Sequence, residues 1–107
     1  MYQAPLDDMK FVLRHLVGID RVAAMPGYDM VSDDLVDAVL DEAGKLAGEV
    51  LAPLNHSGDM TGSVRNVDGS VTTPPGFRDA WAAMAEGGWV GLNADAEHGG
   101  QGLPQCV

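Results

Sequence analysis

The sequence predicts a mainly α-helical domain, and three observations carry that prediction. Apolar residues recur at helical spacing over residues 5–17, 32–54 and 73–85. Glycine and proline cluster at the ends of those stretches, with Gly44, Gly48 and the late Pro53 inside the second. One short span, residues 64–73, has the turn-centred pattern of a β-hairpin, so two or three amphipathic helices plus a small hairpin are expected. At 107 residues and 11.2 kDa the chain has room for one small domain or part of a larger one. Its hydrophobic share of 46% supports a packed core, although alanine makes up much of it and aromatic residues only 6% of the chain.

The first helix is expected over residues 5–17. Leu6, Met9, Val12, Leu13, Leu16 and Val17 share a face, Pro5 suits a first turn, and Gly18 suits a C-terminal stop. Asp7 and Asp8 near its start and Arg14 and His15 near its end complement the helix dipole. Residues 18–31 keep no period and read as a linker. Ser32 is the expected N-cap of the strongest element, whose stripe includes Val36, Leu40, Ala43, Leu46, Val50, Leu51 and Leu54. Pro53 removes a donor and crowds the preceding turn, so this helix is expected to kink or end near Leu51, with Asn55 to Ser63 as a turn. Val64 to Val67 and Ser70 to Thr73 flank Asp68-Gly69, a dipeptide suited to a two-residue hairpin turn. Thr73, Pro74 and Pro75 open a third helix with Phe77, Ala80, Trp81, Met84 and Ala85 on one face, ended by Gly87-Gly88. Trp89 to Pro104 reads as an ordered loop anchored by the Trp89 indole, and the chain, stopping soon after Pro104 with no closing element, is expected to be a fragment.

Sixteen acids against six bases give a net charge of −10 and a pI near 4.3. Such a surface repels phosphate backbones, so nucleic acid is not an expected partner. Neither a membrane span nor a signal peptide is expected, because the longest apolar runs extend only a few residues. Cys106 has no second cysteine to pair with and fits a reducing interior, a bacterial cytoplasm or an organelle matrix, of which the cytoplasm is the expected location.

Each candidate for chemistry has a plainer structural account. Gly99-Gly100-Gln101-Gly102 lacks the Lys-Ser/Thr of a phosphate loop, and Gln105 stands where a dinucleotide fingerprint needs its third glycine, so a tight turn using glycine's backbone freedom is the better reading. Asp95, Glu97 and His98 could hold a divalent ion or act as acid and base, yet such clusters are common in solvated turns. His56 with Asp59 lacks a third ligand at helical spacing. Ser57, Ser63 and Ser70 lie in no strained nucleophile elbow. The methionines are dispersed, and the acids of Ser32 to Glu49 read as a solvated helix face. No catalytic, cofactor-binding or metal residue is assigned on these grounds.

Three longer strings are more specific. Pro75-Gly76-Phe77-Arg78-Asp79-Ala80-Trp81, then Glu86-Gly87-Gly88-Trp89-Val90-Gly91-Leu92, then Glu97-His98-Gly99-Gly100-Gln101-Gly102-Leu103-Pro104 resemble the N-terminal helical domain of acyl-CoA dehydrogenases. Ala47-Gly48-Glu49-Val50-Leu51-Ala52-Pro53-Leu54-Asn55, followed by Gly58-Asp59, is similar to that family's first long helix and the proline that ends it. Tyr2-Gln3-Ala4-Pro5-Leu6-Asp7-Asp8-Met9-Lys10-Phe11-Val12-Leu13 resembles the short N-terminal extension of the 3-methylmercaptopropionyl-CoA dehydrogenase-like branch. The resemblance thus divides the chain into an extension helix and linker, residues 1–31, and a helical domain truncated at its C-terminal end, residues 32–107. His98 departs from the tyrosine the family often carries there.

The resemblance implies a flavoprotein of fatty acid metabolism that binds FAD and oxidises an acyl-CoA to the 2,3-enoyl-CoA. A glutamate removes the α-proton, the β-hydride goes to the flavin, and an electron-transfer acceptor reoxidises it. It also implies that the glutamate and most flavin contacts lie in later domains. This chain alone is then expected to be inactive and to hold no FAD, and its partners are the remainder of the dehydrogenase and, when complete, further copies. The alternative is a stand-alone acidic helical module that binds a partner through Val36, Leu40, Ala43 and Val50 without catalysis.

Overall fold

The computed structural model describes residues Met1–Val107. Helix α1, Leu6–Phe11, runs on without a break into a wide π-helical turn, Val12–Val17. Gly18 stops it as the sequence predicts: its N–H donates to the Leu13 carbonyl at 3.0 Å, and its φ of +75° turns the chain into the left-handed region. The expected linker is not all loop. A short helix α2, Ile19–Ala23, follows at once, too short to show a period in sequence and held by burial of Ile19.

Ser32 caps helix α3, Asp33–Lys45, by accepting a hydrogen bond from the Leu35 N–H at 3.1 Å. Val36 and Leu40 on α3 meet Leu13, Ile19 and Val31 in the one hydrophobic core, with Leu6, Val17 and Tyr28 packed around it. The charged face of α3 is not simply solvated. The Lys10 ammonium reaches the Asp41 carboxylate at 2.6 Å, and Arg14 pairs with Asp37 and, at 3.9 Å, with Asp33. Acids four residues apart on α3 therefore face bases four residues apart on the first helix. The Asp41 hydrogen bond is the main reason the Lys10 pKa is raised above its ordinary value.

The second helix does not end near Leu51. A π-helical turn, Leu46–Leu51, joins α3 to helix α4, Ala52–Thr61, and Pro53 sits in the first turn of α4. The Ala52 N–H bonds the Ala47 carbonyl, five residues back. The next residue, Pro53, has no N–H to place in either register, so the ladder changes pitch where no donor is lost. Residues 55–61, expected to turn, are helical for that reason.

Strands β1, Val64–Arg65, and β2, Val71–Thr72, pair antiparallel, Val64 opposite Thr72 and Arg65 opposite Val71. The loop has three residues instead of two: the Asn66 N–H donates to the Ser70 carbonyl at 2.8 Å and the Gly69 N–H to the Asn66 carbonyl at 3.0 Å, with Gly69 at φ +87°. Asp68 accepts from the Ser70 N–H at 3.0 Å and hydroxyl at 2.7 Å, bonds that hold its carboxyl below the ordinary aspartate range. Helix α5, Phe77–Glu86, stops at Gly87 as predicted and starts later than the predicted Thr73 to Pro75 opening, behind Gly76 at φ +85°. Trp89 is half-buried, folded back over Gly87, and opens a 3-10 turn, Trp89–Gly91; a second, Ala96–His98, follows. Leu103 is buried, and Val107 packs against the core of α1 and α3. No helix is long and apolar enough to cross a membrane.

Candidate functional site

An apolar groove of about 560 Å³ lies between the α4 side of the long helix, α5 and the hairpin. Its geometry begins at two glycines. Gly58 on α4 meets the Phe77 ring so closely that a Cβ there would lie 2.5 Å from Phe77 Cζ. Gly76, at φ +85°, caps α5 beside Leu54, where a Cβ would lie 2.7 Å from Leu54 Cδ2. The two helices are therefore clamped at the Phe77 end, and α5 runs back from there towards the Leu46–Leu51 turn. Leu51, Leu54 and Asn55 form one wall, Phe77, Ala80, Trp81 and Met84 the other, and Val71 and Thr73 of the hairpin close one side.

Apolar groups here stay in water. Trp81 is 60% exposed, Phe77 40% and Val71 58%, against 6% for Ala80 beneath them. Arg78 stands at the groove with no carboxylate partner in the chain, and Arg65, directly across the strand pair from Val71, is likewise unpaired. Cross-strand partners point to one face, which places Arg65 on the same hairpin face as Val71. Lys10, Arg14 and Lys45 all have acidic partners. Of the three arginines without an acidic partner, Arg21 bonds the Val17 carbonyl and Arg78 lines this apolar surface.

The sequence-level candidates lie elsewhere. Asp95, Glu97 and His98 do come together, with ligand atoms within 4.8 Å of one another and His98 Nε2 3.5 Å from Glu97, but all three are exposed. His56 and Asp59 are exposed on α4. The Ser57 hydroxyl donates to the Leu54 carbonyl at 3.3 Å and the Ser70 hydroxyl to Asp68, so neither is engaged by an imidazole. Ser63 and Cys106 are exposed in connecting chain.

The Gly99–Gly102 turn does not fit a flavin phosphate. Its main-chain donors are already spent: Gly99 N–H on Ala96, Gly100 on Asp95, Gln101 on Gly91 and Gly102 on Ala94, all at 2.9–3.0 Å. The stripe of the interaction-module alternative is not free either, since Val36 and Leu40 are each 3% exposed beneath Leu13, Ile19 and Val31. Arg78 was not singled out by sequence reasoning; its signal is that no acid stands three or four residues from it along α5.

No family model matches the chain. Over 99% of its length it is 40% identical to a 3-methylmercaptopropionyl-CoA dehydrogenase of Ruegeria pomeroyi. Over 99% it is also 28% identical to the broad-specificity linear acyl-CoA dehydrogenase FadE5 of Mycobacterium tuberculosis. The chain spans 18% of the length of each of these relatives. The resemblance to acyl-CoA dehydrogenases drawn from the quoted strings is borne out, and the helical architecture with one small antiparallel hairpin agrees with it.

Proposed function

We propose that the chain is the N-terminal helical part of an FAD-dependent acyl-CoA dehydrogenase that oxidises an acyl-CoA to the 2,3-enoyl-CoA. The observation that carries this reading is 40% identity to a 3-methylmercaptopropionyl-CoA dehydrogenase across 99% of the chain. Residues 1–31 act as an extension that braces α3, and residues 32–107 are the helical domain proper. The chain contributes no catalytic, flavin-binding or metal residue. FAD, acyl-CoA and the electron-transfer acceptor are engaged by the remainder of the dehydrogenase, in a cytoplasmic homo-oligomer without nucleic acid. The spent donors of the Gly99–Gly102 turn and the absence of any buried polar side chain support a structural role over a chemical one.

A segment exchange tests this. The matched segment of the Ruegeria pomeroyi dehydrogenase is replaced by this chain, and flavin content and acyl-CoA-dependent reduction of an artificial acceptor are measured. The expected result is a yellow enzyme that forms enoyl-CoA, while the 107-residue chain alone binds no flavin and turns over no thioester. A folded exchange protein with flavin but no activity on any acyl-CoA, or stoichiometric flavin on the chain alone, overturns the reading.

A further inference from the structure

We infer that the groove between α4, α5 and the hairpin is the seat of an apolar polypeptide segment bearing a carboxylate, supplied by the rest of the dehydrogenase. The inference rests on the proposed function and names the partner of this one surface. Three observations converge on it. The exposed groups include the large anchors that protein interfaces bury, the Trp81 indole and the Phe77 ring, with Val71 beside them along one groove. The groove is clamped at one end by Gly58 and Gly76, so it is a formed surface and not a loose gap awaiting collapse. In a chain of net charge −10, Arg78 lines the groove without an acidic partner, which is complementarity to an incoming acid.

The length comparison favours this occupant. The relatives extend to more than five times this chain, so a large body of polypeptide stands ready to cover the groove. A segment inserted there removes Trp81 and Phe77 from water and gives Arg78 a partner in one step. A second copy of the chain offers no such match, because a symmetric contact brings the same unpaired Arg78 of each copy together.

The test uses the exchange protein described above, with no substitution in its first arm. Trp81 oxidation by hydroxyl radicals, read by mass spectrometry, should be strong in the 107-residue chain and reduced about tenfold in the exchange protein, as for a central buried anchor. Equal labelling in the two overturns the inference, as does concentration-dependent protection of Trp81 in the chain alone, which assigns the groove to a second copy. In the second arm, Trp81→Glu and Arg78→Glu should cut the yield of assembled flavoprotein, whereas Val67→Glu at the fully exposed hairpin tip should not. Helical circular dichroism of the 107-residue variants checks that the substitutions leave the fold intact. Assembly unaffected by either groove variant overturns the inference while leaving the parent reading standing. An unmodified exchange protein that never assembles removes both.

Discussion

Gly100 shows how a residue can be demanded by distance instead of by angle. A glycine in a turn is usually explained by positive φ, and in this loop that freedom belongs to Gly99 at +83° and Gly102 at +67°. Gly100 is not left-handed, yet a Cβ on it would lie 1.9 Å from the Ala94 carbonyl oxygen, a main-chain atom tied down by the Gly102 N–H at 2.9 Å. At Gly99 a Cβ meets nothing within 4 Å. The two substitutions therefore separate the two causes. Gly99→Ala should cost about 1 kcal/mol of backbone strain, and Gly100→Ala about 1–3 kcal/mol or more of overpacking. Denaturant midpoints check the order, and a Gly100→Ala midpoint at or above that of Gly99→Ala would show that the Ala94 to Gly102 turn is not closed in solution.

At the scale of elements, what was legible in the sequence is what local rules determine. Ser32 as a cap, Gly18 as a stop and Gly87 at the end of α5 each act within one turn of backbone, so their residue types suffice. The misread features all depend on a partner or a register. α2 owes its existence to Ile19 packing on Leu13 and Val31, and the long helix passes Pro53 because a wide turn precedes it. The groove was half visible, its α5 face being written in the helical spacing of Phe77, Trp81 and Met84. Its other wall was hidden by the expectation that the helix ended near Leu51. The acidic face of α3 was read as solvated because pairing of Asp37 and Asp41 with Arg14 and Lys10 joins residues more than twenty positions apart.

Those ion pairs give a prediction for the docking of α1. The Lys10 pKa is raised by the folded contact, chiefly by the Asp41 hydrogen bond, so its stabilising share is fully present below the ordinary lysine value of 10.5 and is lost as pH rises through the higher folded value. Between neutral pH and 10.5 the lysine share is constant, and above it α1 should loosen first. Salt acts in the same direction at any pH, since the screening length falls to about 3 Å at 1 M. Hydrogen exchange of the α1 amides should accelerate in 1 M salt, roughly a tenfold rise in ionic strength over 0.1 M, while α5 amides do not change. Lys10→Glu should reproduce the effect at low salt and a second change, Asp41→Lys, should reverse it. Identical α1 exchange in all of these would mean that the apolar contacts of Leu6 and Leu13 hold the helix alone.

The whole molecule is extended for its length. Its radius of gyration is 17.1 Å and its extents are 54 × 35 × 18 Å, whereas a compact domain of this size has a radius near 13 Å. Ten of 107 residues are buried, and no large side chain is wholly enclosed. The one core lies where α1, α2 and α3 meet, so α4, α5 and the hairpin are held mainly by their own hydrogen bonds and by the Gly58–Phe77 and Gly76–Leu54 contacts. Burial is the main term that opposes chain entropy, and this half of the molecule has little of it. The 107-residue chain should therefore melt over a broad range, with the α5 signal lost before that of α3, and should bind an apolar dye at the Trp81 groove. X-ray scattering and dye fluorescence provide the check. A radius near 13 Å, one sharp transition and no dye binding would mean that the two ends close on each other in solution, which would cover the groove from within and leave no surface for a partner. If the radius stays near 17 Å and dye binding disappears in the exchange protein, the missing burial is supplied by the larger body, and the elongated shape is that of a helical layer laid against it.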